Sequence, residues 1–175
     1  NLLENAGQID KAIVVMKEAL NLTPHDKDLN FKLAELLSKN SKGTIEEILH
    51  YLRRSFTKGD SRFNAQFWYA RALYLNNQFP ESKEIFTEIE KARLDPSIKK
   101  AARGMIKENN IPVAFEGEVF KLFFNYGFIK RNKFGDTIFF NTQDFENGNL
   151  TNGQPVACNI AFNFKGPIAT NIKLK

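Results

Sequence analysis

Two different hydrophobic periods divide this chain. Up to about Asn109, apolar residues recur three and four positions apart, and glycines and prolines separate the helical stretches. From Val113 onward apolar and polar residues alternate, which is typical of β-strands with one buried face. The pattern predicts a multidomain α plus β protein, with helices over residues 1–111 and a small barrel over residues 112–175.

The helical part is predicted to form antiparallel helix pairs. One helix ends before Pro24, a second unit begins near Lys27 with its turn at 40–44, and a third unit turns at 76–79. Proline at position 80 suits the first turn of a helix. A last helix is predicted from Pro96 to about Asn109, where it would cap the open end of the array.

Small residues recur where two helices of the first unit must approach closely, and a proline closes that unit. This arrangement, with Gly7, Ala12, Ala19 and Pro24 in the first unit and Trp68 in the third, resembles a tetratricopeptide repeat over residues 1 to 94. The resemblance implies an array that holds a protein partner, while a spacer that positions the C-terminal domain is the alternative. Because the chain starts inside such a repeat, we expect it to be the C-terminal part of something longer.

Five short strands are predicted within the last sixty or so residues. They begin at Val119, Tyr126, Thr137, Pro155 and Ile168, and turn residues such as Gly135-Asp136 and Asn152-Gly153 separate them. Five strands in a segment of this length fit a small closed barrel of the oligonucleotide-binding type.

Aromatic residues in the second and third strands occupy alternate positions. Residues two apart in a strand emerge on one face, so Tyr126, Phe128 and Phe139 are predicted to share the outer surface. Gly127, Ile129, Ile138 and Phe140 are then expected to face inward. A row of exposed rings is a platform for stacking bases, at about 1–3 kcal/mol per base.

The order of motifs along this region resembles a cold-shock domain over its whole length. The motifs are Gly117-Glu118-Val119, Tyr126-Gly127-Phe128-Ile129, Ile138-Phe139-Phe140-Asn141, Gly153-Gln154-Pro155-Val156 and Gly166-Pro167-Ile168-Ala169-Thr170-Asn171. The resemblance implies that Tyr126 and Phe128 are the exposed rings of a first ribonucleoprotein-like motif. Phe139 would be the ring of the second.

This chain departs from the cold-shock pattern at several positions. Asn141 replaces a histidine, Thr142 replaces an aromatic residue, and Lys121 falls where the family has a tryptophan. Phe120, Phe123 or Phe124 would supply the missing ring, and the sequence does not choose among them. Basic residues near the rings are expected to pair with phosphates, and they are Lys121, Lys130, Arg131 and Lys133. The predicted nucleic-acid-binding residues are Lys121, Tyr126, Phe128, Lys130, Arg131, Phe139 and Asn141.

Composition narrows the class of protein without identifying a ligand. The net charge of +5 is divided between 18 basic and 15 acidic residues before Pro112 and 7 basic and 5 acidic residues from Pro112 onward. This mild basicity suits a polyanion partner. Cys158 is the single cysteine, so an internal disulfide is excluded and a reducing, cytoplasmic location is favoured. We expect its side chain to be a small buried hydrophobe. No apolar run reaches the roughly 20 residues of a membrane span, so no membrane partner is expected.

Motifs for catalysis are missing from the sequence. It has no phosphate loop, no dinucleotide fingerprint and no His or Cys set with metal-ligand spacing. We therefore expect no enzyme activity, no catalytic residues, no cofactor and no metal. The prediction is a noncatalytic module that binds single-stranded RNA or DNA, with RNA favoured, and recruits a protein through its helices. The alternative is a protein-interaction scaffold whose barrel face packs on protein.

Overall fold

The computed structural model describes residues 8–131, 133–145 and 149–175. Within these ranges six α-helices precede seven β-strands, five of which close into a barrel. The predicted multidomain α plus β layout is confirmed. The chain forms two compact units, of which one ends at Ile89 and the other begins at Glu90.

The first unit is built from consecutive helices that pack on one another. Leu33 and Leu37 lie in a core shared by the first two helices, and Leu52 and Leu73 lie in the next core along the chain. The helices are α1 Ile9–Leu22, α2 Lys27–Lys39, α3 Ile45–Arg54, α4 Phe63–Leu75 and α5 Phe79–Lys91.

Local capping explains why two of these helices start where they do. The Asp26 carboxylate accepts a hydrogen bond from the backbone N–H of Leu29, and the Thr44 hydroxyl accepts one from the N–H of Glu47. Such caps each contribute about 1 kcal/mol because they satisfy backbone donors that the helix leaves open. The predicted turn at 40–44 separates α2 from α3 as expected.

The predicted long helix after Pro96 is wrong. Helix α6 is only five residues long, Pro96–Lys100, and Gly104 has a φ of 59° that no α-helix contains. Arg103 and Phe162 instead exchange backbone hydrogen bonds of 2.7 and 2.8 Å, and the N–H of Ile106 donates to the carbonyl of Ile160 at 2.9 Å. This segment therefore belongs to the barrel unit, and the two units divide at Ile89 and Glu90 instead of near the predicted Ile111-Pro112.

The barrel strands are β3 Ala114–Leu122, β4 Tyr126–Lys130, β5 Thr137–Asn141, β6 Pro155–Asn163 and β7 Gly166–Leu174, and a short exposed hairpin, β1 Lys107–Glu108 and β2 Ile111–Pro112, precedes them. The barrel closes in the order β3-β4-β5-β7-β6, and β6 pairs back with β3. Its neighbouring strands are antiparallel except for the parallel pair β5 and β7. This Greek-key arrangement is that of an oligonucleotide-binding-like barrel.

The barrel interior contains the residues that strand parity predicts. Ile129, Ile138 and Phe140 are fully buried. Cys158 is also buried, as predicted, and burial raises the pKa of its thiol to about 11. Gly127 is required because a Cβ atom there would lie 2.6 Å from the Phe140 ring. Across the described ranges, the helices are too short or too polar to span a bilayer.

Candidate nucleic-acid interface

Three predicted rings meet on the outer face of β4 and β5. Tyr126 and Phe128 alternate with the buried Gly127 and Ile129 along β4, and Phe128 lies directly opposite Phe139 on β5. The prediction that these rings share one outer face is confirmed. The strand period that buries the core residues is the same period that turns the rings outward.

The rings contact one another as a cluster. Tyr126 is stacked with Phe139 at a centroid distance of 5.8 Å and an interplanar angle of 25°. Phe128 meets Tyr126 at 6.1 Å and Phe139 at 5.9 Å, both edge to face. These are favourable aromatic geometries, so the rings hold one another in place.

A fourth ring, Phe123, joins this cluster from the loop between β3 and β4. It is stacked with Tyr126 at 4.6 Å and 22° and is 41% exposed. Of the three phenylalanines that the sequence left open, Phe123 is therefore the one that contacts the predicted rings. We call Phe123, Tyr126, Phe128 and Phe139 the ring surface. The sequence shows that aromatic residues are concentrated near this loop. It does not show which of them joins the other rings, because strand parity cannot predict where a loop side chain lies.

Polar and basic residues border the ring surface. Lys121 is the cross-strand neighbour of Phe128, and its ammonium lies 5.7 Å from the Phe123 centroid. Lys130 is exposed, with its ammonium 5.9 Å from the Phe120 centroid, and Asn141 is exposed directly opposite Tyr126. These three predicted residues can reach the phosphates or sugars of a strand that stacks on the rings.

Acidic charge is also present at this border. Glu118 is the cross-strand neighbour of Lys130 and is exposed. Directly opposed side chains in a sheet are about 5 Å apart, so Glu118 offsets part of the Lys130 charge. The charge at this border is therefore mixed, because Glu118 is present along with the basic residues Lys121 and Lys130.

The structure removes Arg131 from the predicted interface. Arg131 is 4% exposed, and its guanidinium donates two hydrogen bonds of 2.8 Å to the carboxylate of Asp136. The Phe134 ring lies 4.3 Å from the guanidinium carbon. A buried and paired cation cannot meet a phosphate, so this part of the prediction is corrected. Lys133, the remaining basic residue of the predicted set, is exposed in the turn between β4 and β5.

The residues described by the structure contain no group of three or more His, Cys, Asp or Glu side chains placed to hold a metal ion. No protein-family profile matches this sequence, and a comparison with curated proteins finds no match. The barrel topology and the ring surface are therefore the features of this chain that indicate a function.

Proposed function

We propose that this protein is a noncatalytic module that binds single-stranded nucleic acid on the ring surface of its barrel. The observation that carries the proposal is a contiguous cluster of four aromatic rings on the outside of an oligonucleotide-binding-like barrel. Tyr126 is 38% exposed, whereas the ring of a core residue would be buried. Exposed clustered rings are favoured on a surface that binds a ligand, and every base offers a flat face to such rings.

Each bordering residue has a chemical role in this proposal. Lys121 and Lys130 attract the phosphates, whose negative charge is the same in every nucleotide. The Asn141 amide beside Tyr126 offers both a donor and an acceptor, which match the 2′-hydroxyl that distinguishes RNA from DNA. We therefore favour RNA as the ligand.

The proposal extends to the family resemblance and to the helices. We propose that the barrel is cold-shock-like and that α1 to α5 are tetratricopeptide-like repeats that bind a protein partner, so that the bound strand is tethered to that partner. The motif order and the helix-pair pattern support this assignment. The single, buried Cys158 is consistent with a reducing location such as the cytoplasm.

An exposed apolar cluster also suits a protein partner, which is the competing function. In that case the ring surface binds protein, and nucleic acid does not compete for it. Duplex RNA also helps to distinguish these two functions. If the ring surface binds nucleic acid by stacking, duplex RNA should bind weakly, because paired bases have no free faces to stack on exposed rings.

Fluorescence anisotropy of a labelled single-stranded RNA tests the proposal. Wild-type protein should bind, salt should weaken the binding moderately, and matched DNA should compete less well than RNA. Phe128→Ala should raise Kd about tenfold, because one stacked base contributes about 1–3 kcal/mol. The variant should remain folded with a modestly lower Tm, because Phe128 lies outside the barrel core but its ring contacts Tyr126 and Phe139. Absence of binding at low salt by a folded protein would refute the proposal and favour the protein scaffold.

A further inference from the structure

Phe123 extends the ring surface beyond the edge of the sheet. The Phe123, Tyr126 and Phe139 rings form a run, because Tyr126 is stacked with both of the others at interplanar angles of 22° and 25°. Phe139 and Tyr126 belong to strands, whereas Phe123 belongs to the connecting loop. The run therefore continues from the sheet onto that loop.

The backbone holds this loop against the sheet. The N–H of Phe123 donates to the carbonyl of Tyr126 at 2.8 Å, and the N–H of Thr142 donates to the carbonyl of Asn125 at 3.0 Å. The Thr142 hydroxyl also donates to the carbonyl of Phe124 at 3.3 Å. Thr142, which stands where the cold-shock pattern has an aromatic residue, thus fixes the loop that carries the extra ring. A ring held before binding loses little entropy when a ligand arrives.

We infer that Phe123 stacks a base and that the bound strand continues past Tyr126 onto the loop, one nucleotide beyond the three strand rings. Lys121 would pair with the phosphate of this nucleotide, since its ammonium is 5.7 Å from the Phe123 centroid. The inference rests on the proposed function and deepens it. It defines the ligand as a stretch of at least four unpaired nucleotides.

The two neighbouring phenylalanines do not have this geometry. Phe120 lies at the irregularity in β3, between Val119 and Lys121, where its ring faces the Lys130 ammonium. Phe124 is 94% exposed, so the protein does not fix its ring in advance. Phe120, at 54% exposure, therefore provides a matched control for changes at Phe123.

The test measures Kd for oligouridylates of three to eight nucleotides, with wild type, Phe123→Leu, Phe123→Tyr and Phe120→Leu. Leucine keeps apolar volume beside Tyr126 but removes the flat face. We expect Phe123→Leu to weaken octamer binding about tenfold and to abolish the gain in affinity from three to four nucleotides. Phe123→Tyr should retain wild-type affinity, and Phe120→Leu should stay within about twofold, since it removes no stacking contact.

Two outcomes would overturn the inference. One is that Phe123→Leu stays within about twofold of wild type while Phe128→Ala weakens binding. The other is that Phe120→Leu weakens binding as much as Phe123→Leu does. If wild type binds no oligouridylate of any length at low salt, the proposed function itself fails, which is a distinguishable result.

A second measurement does not depend on the variants folding. Wild-type protein is photocrosslinked to an octamer that contains 4-thiouridine, and the crosslinked peptides are identified by mass spectrometry. Crosslinks at Phe123 are expected together with crosslinks in β4 and β5. Crosslinks in β4 and β5 without any in the loop would contradict the inference.

Discussion

The neighbouring basic residues Lys130 and Arg131 have different environments within one hairpin. Lys130 is exposed at the border of the ring surface, while the next residue, Arg131, is turned inward and paired. Both charges of the pair are almost fully removed from water, at 5% and 11% side-chain exposure. Removing one partner of such a pair destabilises the fold, because the other partner is left as an uncompensated buried charge.

Asp136→Asn should therefore destabilise the barrel without touching the ring surface. We expect the free energy of unfolding to fall by about 3–5 kcal/mol, because the Arg131 charge would remain buried without its partner. Urea unfolding gives this value, with Lys133→Gln as an exposed control that should change stability by less than about 0.5 kcal/mol. RNA affinity of the folded Asp136→Asn fraction should match wild type. Weaker affinity with unchanged stability would return Arg131 to the interface.

Strand parity explains which side chains of the barrel could be predicted to face outward or inward. Alternation placed Tyr126, Phe128 and Phe139 outward and Ile129 inward, because one face of the sheet must be buried. The same parity assigns Arg131 to the inner side with Ile129. Charge alone suggested a phosphate contact, since the sequence does not show that Asp136 lies within hydrogen-bond distance.

Among the connections between elements, the one from α3 to α4 is organised by a single carboxylate. Asp60 accepts hydrogen bonds from the backbone N–H groups of Thr57 and Arg62, at 2.8 and 3.0 Å, and from the Lys27 ammonium at 3.0 Å. It thereby connects this loop to the first residue of α2. Burial alone would raise the pKa of Asp60, but these three donors outweigh it and lower the pKa to about 2.

Asp60→Asn should lower the free energy of unfolding of the helical unit by about 1–2 kcal/mol at neutral pH. The pKa of Asp60 in the folded protein is lowered from 3.8 to about 2. The stabilisation of the helical unit by the Asp60 carboxylate is therefore complete above about pH 5 and is lost as pH falls toward 2. The variant should therefore lose less stability than wild type over that acidic range. Asp10→Asn, in an exposed pair with Lys42, is the control and should cost about 0.5 kcal/mol at most. Identical acid profiles for wild type and Asp60→Asn would contradict the prediction.

Elements with strong local signals were predicted well, and elements fixed by distant partners were not. The helix start near Lys27 and the turn at residues 40–44 were predicted from local sequence, and the structure shows that Asp26 and Thr44 cap the helices there. The segment after Lys100 has apolar residues at helical spacing, yet it pairs with β6, about sixty residues further along the chain. Tertiary pairing of this kind overrides helix propensity, which is a weak preference.

For the molecule as a whole, the change of hydrophobic period predicted two parts in the right order. The boundary differs because residues 99–106 complete the β6 side of the barrel, where Phe162 and Phe164 are buried. The N–H of Phe164 donates to the carbonyl of Lys99 at 3.1 Å, and the Arg103 guanidinium lies 4.3 Å from the Phe164 centroid. Cutting the chain at Pro112 would remove these backbone hydrogen bonds and the Arg103 guanidinium that lies over the Phe164 ring.

A fragment of residues 90–175 should consequently be more stable than one of residues 112–175. Four backbone hydrogen bonds connect Lys99, Arg103 and Ile106 to the β6 region. At about 1 kcal/mol each, with about 4–8 °C of Tm per kcal/mol for a domain of this size, the shorter fragment should unfold at least about 10 °C lower. Differential scanning calorimetry measures both fragments. Equal Tm values would show that the segment contributes nothing to the barrel.

Amide chemical-shift mapping is the most direct test that RNA binds on the ring surface. Single-stranded RNA is titrated into uniformly ¹⁵N-labelled protein, and the perturbed amides are mapped onto the strands. We predict that the largest shifts fall in Phe123–Ile129 and Thr137–Asn141, with small shifts along β6. Shifts confined to the helical unit or to β6, or no shifts at all, would contradict binding on the ring surface.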